Sequence, residues 1–420
     1  MQLAWLGALV ALMLPFPSRQ EMVADRLYGR VHTADGEVVE GFLRWDRNEA
    51  SPDDFLDARK EIPADLVREA ERLDPDFARR QREARSLVAF GMRITWEEDD
   101  LSDPPSAAVS LRFAHIASIG VLDDNSATVV LRSGEEVTLR SSSSDLGRGM
   151  RELVVERYGM PDRSFRWREL ERVDFFVAPD EAPPPEARRL HGTVVTWGDL
   201  ELTGDIAWDV DEVLSTDVLD GRDGAEDVEL PFGEIERIEQ DGPRRVRVTL
   251  QSGTERTLRG SNDVNRANRG IEVSDPALGK AVVRWDDFRS LRLHAPVEGP
   301  AGGGSLEDFA PGALIRGTVH ALDGRVLEGA VRWGVDEERL WESLDGWHGD
   351  TRVSVEFGRI ASIRRLDEER VAVSLTDGRE LVLEDVYGTE RLHDGIFVTP
   401  EGRATRLVRW QDFDRLEISR

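Results

Sequence analysis

The sequence predicts an all-β protein of three tandem modules, each a pair of small β-barrels, with a short helical insertion in the first module. Three observations carry this prediction. A glycine–glycine–tryptophan spacing recurs three times, tight-turn pairs sit between alternating apolar residues, and an aromatic-x-x-apolar-x-x-apolar ending closes each half of each module.

Each module opens on a glycine and an alternating strand, at Gly29-Arg30-Val31, Gly192-Thr193-Val194 and Gly317-Thr318-Val319. Twelve residues on stands Gly41, Gly204 or Gly329, and four further on Trp45, Trp208 or Trp333. Between the glycines lie Asp35-Gly36, Gly198-Asp199 and Asp323-Gly324, the chemistry of a tight β-hairpin. The first half closes on Phe113-x-x-Ile116-x-x-Ile119 and its counterparts from Phe232 and Phe357. The second half repeats the plan, with turns at Ser133-Gly134, Ser252-Gly253 and Asp377-Gly378, and closes on Trp167, Trp285 or Trp410. A three-residue step is neither strand nor helix period, so the ending reads as one tight helical turn followed by a short strand. Short strands and bending glycines suit closed barrels, because closure removes exposed edges.

The order of hairpin, short turn and last strand, written Phe232-Gly233-Glu234-Ile235-Glu236-Arg237-Ile238, resembles the small SH3-like and Sm-like barrels. The RNA-binding signatures of the Sm-like group are missing, so the resemblance implies a fold and no nucleic-acid activity. The three-module whole also resembles exported bacterial proteins.

Module 1 departs from its neighbours by an insertion of about 44 residues between Trp45 and Phe113. Leu66, Ala70, Leu73 and Phe77 fall on one helical face, Asp76 with Arg80 and Arg79 with Glu83 are spaced as charge pairs, and Pro75 should break the helix. Boundaries follow: a signal peptide over 1–24, module 1 over 25–177, a proline-rich linker over 178–188, module 2 over 189–294, a Gly/Pro linker over 295–312 and module 3 over 313–420. The apolar run from Leu3 to Phe16 has the length of a signal-peptide core and falls short of the ~20 residues of a membrane span. Cleavage after Ala24 would place the mature chain in the periplasm or outside the cell, with no membrane span.

Eighty-three acidic residues against 55 basic ones give a net charge of −28, which repels nucleic-acid phosphates and anionic membranes. Only Lys60 and Lys280 are lysines. The absence of cysteine excludes disulfides, thiol nucleophiles and thiolate metal sites.

No nucleophile elbow, P-loop, dinucleotide-binding or metalloprotease pattern occurs, so no catalytic residue is assigned. His32 and His320 share a repeat position that holds Val195 in module 2, which marks packing. The tryptophans at repeat positions read as core. Trp341, Trp347 and His348 have no counterparts and stand as a candidate sugar-stacking or partner surface, against ordinary loop packing. After the first tryptophan of each module, acids recur at +4 (Glu49, Glu212, Glu337), +9 (Asp54, Asp217, Glu342) and +12 (Asp57, Asp220, Asp345). Gathered on one loop they would offer Ca²⁺ its oxygen ligands; as turn caps they would only solvate the loop. The resulting expectation is a non-enzymatic binding or scaffolding protein of the cell envelope or exterior, its partner a protein or a glycan. The alternative is a carbohydrate-active enzyme or carbohydrate-binding protein using the acidic loops with Trp341 and Trp347.

Overall fold

In the first unit, short alternating segments build one antiparallel sheet of ten strands. They are β1 (Tyr28–Thr33), β2 (Val38–Arg44), β3 (Phe55–Glu61), β4 (Ser106–Arg112), β5 (Ile116–Val121), β6 (Ser126–Leu131), β7 (Glu136–Arg140), β8 (Leu153–Glu156), β9 (Arg163–Phe165) and β10 (Leu170–Phe175). Their lateral order is β9-β8-β2-β1-β10-β5-β6-β7-β3-β4. In β6 the alternation is plain, with Ala127, Val129 and Leu131 buried and Thr128 and Val130 between them partly exposed. The computed structural model describes residues 26–75, 88–89, 92–93, 106–179, 181–182, 185, 187–294, 312–386 and 395–419. The apolar leader, the cleavage point, the segment from Asp76 to Glu83 and most of the Gly/Pro linker lie outside the described residues.

Residues 191–293 and 316–418 repeat this strand order. Between them each residue stands 125 positions from its counterpart, as Trp333 from Trp208 and Phe413 from Phe288. The outer strand Gly279–Val283 of the second unit pairs with the outer strand Thr351–Glu356 of the third, which joins the two into one twenty-stranded sheet.

The all-β class is therefore as the sequence predicts, but among the described residues no strand set closes into a barrel. A barrel in each half would need the halves to pair within themselves. Instead β2 pairs with β8, β1 with β10 and β3 with β7, each across the halves. The loop from Trp45 to Asp54 carries the chain away from β2, so the β3–β4 hairpin completes the other half, and both halves share one core.

The repeated glycines serve close strand approach. Gly29 lies opposite Gly41, as Gly192 does Gly204 and Gly317 does Gly329. A Cβ on Gly41 would stand 2.3 Å from the Glu156 carbonyl oxygen, and one on Gly204 2.1 Å from that of Ser274. Only glycine lets the hairpin pair tightly with strands on both flanks. The three-residue endings are single 3₁₀ turns, such as Phe113–His115 before β5, although Trp285–Asp287 is an ordinary turn.

The first tryptophan of each unit is the core centre. Trp45 meets Phe113 and Phe175, Trp208 meets Phe232 and Phe288, and Trp333 meets Phe357 and Phe413, at centroid distances of 5.2–6.3 Å. The indole N–H of Trp45 donates to the Asp145 carbonyl and that of Trp208 to Asp263, so burial leaves no orphaned donor at either ring.

Helix α1 (Ala64–Leu73) ends before Pro75, as a residue preceding proline resists the α conformation. Its apolar face packs on the third unit, where Ala70, Leu66, Val67 and Leu73 join Val335, Phe397 and Leu407. In the proline-rich segment, Ala178 and Ala182 pack against Tyr28 and Phe42, while Ala187 meets Ala50 and Leu214.

Candidate functional site

The three units meet at a polar junction. At its centre lies Glu356, a fully buried residue of the third unit. It accepts hydrogen bonds from Arg112 Nε at 3.1 Å and Nη2 at 2.9 Å, and lies 2.9 Å from His115 Nε2, both of the first unit. Its backbone N–H donates to the Leu278 carbonyl of the second unit at 3.0 Å. Arg112 also donates to Asp53 and to the Asp275 carbonyl, and its guanidinium lies 4.7 Å from the Phe55 ring centre. Burial pushes the Glu356 carboxyl up, but Arg112 and His115 outweigh it and hold the group at about 2.

Beside this hub opens a cleft of about 300 Å³ that draws its lining from all three units: Asp57 and Ser110, then Glu272 and Lys280, then Asp345 and Arg352. Strands β3 and β4 form one wall, and the two outer strands of the seam form the other. Lys280 Nζ donates to both Asp57 oxygens at 2.5 and 2.6 Å. Against the upward push of burial, Lys280 and Ser110 hold Asp57 below the usual carboxylate range. Glu272 is pushed by burial up to about 7, and Asp145, whose carboxylate takes the Asp57 amide, to about 8. Ser354 donates to Asp345. The cleft therefore presents both signs of charge together with serine hydroxyls.

The recurrent acids divide by position. Those at +9 each cap two amides of their own loop and hold a cation from another unit. Asp54 accepts from Ala50 and Ser51 and binds Arg189; Asp217 accepts from Val213 and Leu214 and binds Arg44; Glu342 accepts from Glu338 and Arg339 and binds Lys60. At +12, Asp57 and Asp345 line the cleft while Asp220 is exposed. At +4, Glu49, Glu212 and Glu337 bridge back to the tryptophan through their backbones. Burial, then neighbouring carboxylates, raise these three, Glu212 to about 8. Among the described residues no group of three or more His, Asp or Glu is placed to hold a metal ion. The acids set out above for Ca²⁺ are spread over loop amides, inter-unit cations and the cleft.

Trp341 does not form a surface. It is 2% exposed and packs among the core residues of the first unit, which explains why it has no counterpart: among the described residues, no side chain of the second unit joins that core. Trp347 is partly buried with the Arg284 guanidinium 4.3 Å from its ring centre, and His348 Nδ1 sits 3.0 Å from the Val382 carbonyl. Buried and covered in this way, the two indoles offer no paired platform to a sugar ring. His32 bonds Asp174 and His320 lies near Glu417, both within their own units.

No local pattern in the sequence marks the inter-unit ion pairs, although one signal points to them. The two lysines are 6–7% exposed and both sit at unit boundaries, Lys60 on Glu342 and Lys280 on Asp57. A compact ammonium fits seats too tight for a planar guanidinium.

These features define an all-β protein whose three like-ordered units border a charged cleft. Comparison with family models, curated proteins and solved structures returns no match. Among the described residues no helix is long and apolar enough to cross a membrane.

Proposed function

We infer that the protein is a non-enzymatic binding and scaffolding protein of the cell envelope or exterior, and that it holds a small polar ligand in the cleft between its units. The observation that carries this reading is the lining itself. Side chains far apart in sequence bring donors and acceptors to one cavity, the setting in which small ligands are oriented by a few placed polar groups. Asp57 and Asp345 are already engaged by Lys280, Ser110 and Ser354, which suits a fixed recognition surface better than a group that must trade protons. The export part of the reading rests on the apolar run near the N-terminus.

The test is a thermal-shift screen with monosaccharides, amino acids, dicarboxylates and short oligosaccharides as probes. A probe class that raises Tm in the wild type and fails to do so in Asp345→Asn and Arg352→Gln supports the cleft. No shift from any class contradicts it.

A second reading, action on a glycan, draws on Glu272 and Asp57, two cleft carboxyls pushed apart in acidity, Glu272 up to about 7 and Asp57 below the usual carboxylate range. Release of reducing sugar from oligosaccharides, lost in Glu272→Gln, would favour it over simple binding.

A further inference from the structure

We propose that the chain assembles head to tail through two free sheet edges, the strand Arg406–Arg409 of one copy adding to the strand Glu226–Pro231 of the next. The precedent lies inside the molecule. The second unit's outer strand Gly279–Val283 already pairs with the third unit's outer strand Thr351–Glu356, from Gly279 opposite Val355 to Val283 opposite Thr351. Moving along the chain by 125 residues turns the first of these strands into 404–408, and moving back by the same amount turns the second into 226–231. Each counterpart pairs on one side only among the described residues, Glu226–Pro231 with Val218–Asp223 and Arg406–Arg409 with Gly395–Thr399. Within the second and third units, joining these two surfaces once leaves one free example of each; the first unit's counterparts, β4 and β9, likewise pair on one side only among the described residues.

Charge makes the free edges complementary. Glu226, Asp227 and Glu229 are exposed on one, and Arg403, Arg406 and Arg409 on or beside the other. Transferring the internal register puts Val408 opposite Glu226, Leu407 opposite Asp227 and Arg406 opposite Val228. Arg406 is then diagonal to Glu226, Arg409 to Asp227 and Arg403 to Glu229, within reach of long side chains. Two acidic edges, or two arginine edges, would repel, so the match is heterologous. Pro231 stands where Glu356 donates its amide to Leu278, and this removes one bond at the strand's end. The amides of Asp227 and Glu229, equivalent to those of Arg352 and Ser354, remain. A heterologous contact that repeats the same relation builds an open filament, or a ring where the rotation closes. The inference is independent of what occupies the cleft.

Sedimentation velocity from low-micromolar to sub-millimolar protein, in low and high salt, tests it. The expected result is a mass that grows with concentration and shrinks with added salt. Arg406→Glu and Glu226→Arg, both at exposed positions, should each weaken association by about tenfold or more. Mixed one to one they should co-assemble, since each then offers the edge the other lacks. A wild type that stays monomeric throughout, assembly unchanged in Arg406→Glu, or a mixture that fails to co-assemble would each overturn the proposal.

Discussion

Replacing Glu356 by glutamine probes the point where the three units are locked together. The carboxyl is fully buried and held at about 2 against an ordinary 4.5, so at 1.36 kcal/mol per unit its ionised form contributes about 3 kcal/mol to folding. A second route gives the same size. Removing one member of a buried ion pair costs about 3–5 kcal/mol, and the lower end applies because Arg112 keeps Asp53. Because the folded pKa is depressed, this stability is present above pH 4.5 and is lost as pH falls through about 2. Urea unfolding followed by tryptophan fluorescence should therefore show Glu356→Gln shifted down by about 1 to 3 M at neutral pH, for slopes of about 1–3 kcal/mol per molar. The gap to wild type should narrow steadily between pH 4.5 and 2. A variant that unfolds with wild type at neutral pH, or a gap that ignores pH, would refute the reasoning.

Trp208→Ala should lower stability by about 3–5 kcal/mol, read from thermal or urea unfolding, because it empties a core centre and removes the indole's hydrogen bond to the Asp263 carbonyl. Gly204→Ala should destabilise strongly, whereas Gly120→Ala, where the nearest atom to an added Cβ is 3.8 Å away, should melt close to wild type. Glu212 sits at about 8 against an ordinary 4.5, so wild type loses its contribution as pH rises through 8. Glu212→Gln lacks that loss, and its melting temperature relative to wild type should improve between pH 6 and 9; an unchanged difference would contradict the assignment.

Features that recur at fixed intervals were legible in the sequence. The paired glycines and the core tryptophans appear three times and the three-residue endings six, and each has a local physical cause: close strand approach, a large buried ring, a single tight turn. The helix and its stop at Pro75 follow from spacing and proline sterics. Barrel closure was not legible, because whether β2 pairs with β3 or with β8 depends on where a loop sends the chain. The cleft was hidden for a similar reason. Asp57 and Lys280 lie 223 residues apart, and Arg112 and Glu356 244 apart. The acids at +9 read more readily as turn caps than as metal ligands; their cations come from other units, which no local pattern reveals. Trp341 was singled out for lacking counterparts. The reason is a neighbour's core.

The account rests on the second and third units sharing one sheet, since that seam forms a wall of the cleft and sets the register of the proposed assembly. The chain has no cysteine, so a pair introduced as Ala281→Cys and Val353→Cys, directly opposite across the seam, reports on it alone. Mild oxidation of the folded protein should form an intramolecular disulfide and leave no free thiol. Two free thiols on a folded, oxidised protein would contradict it.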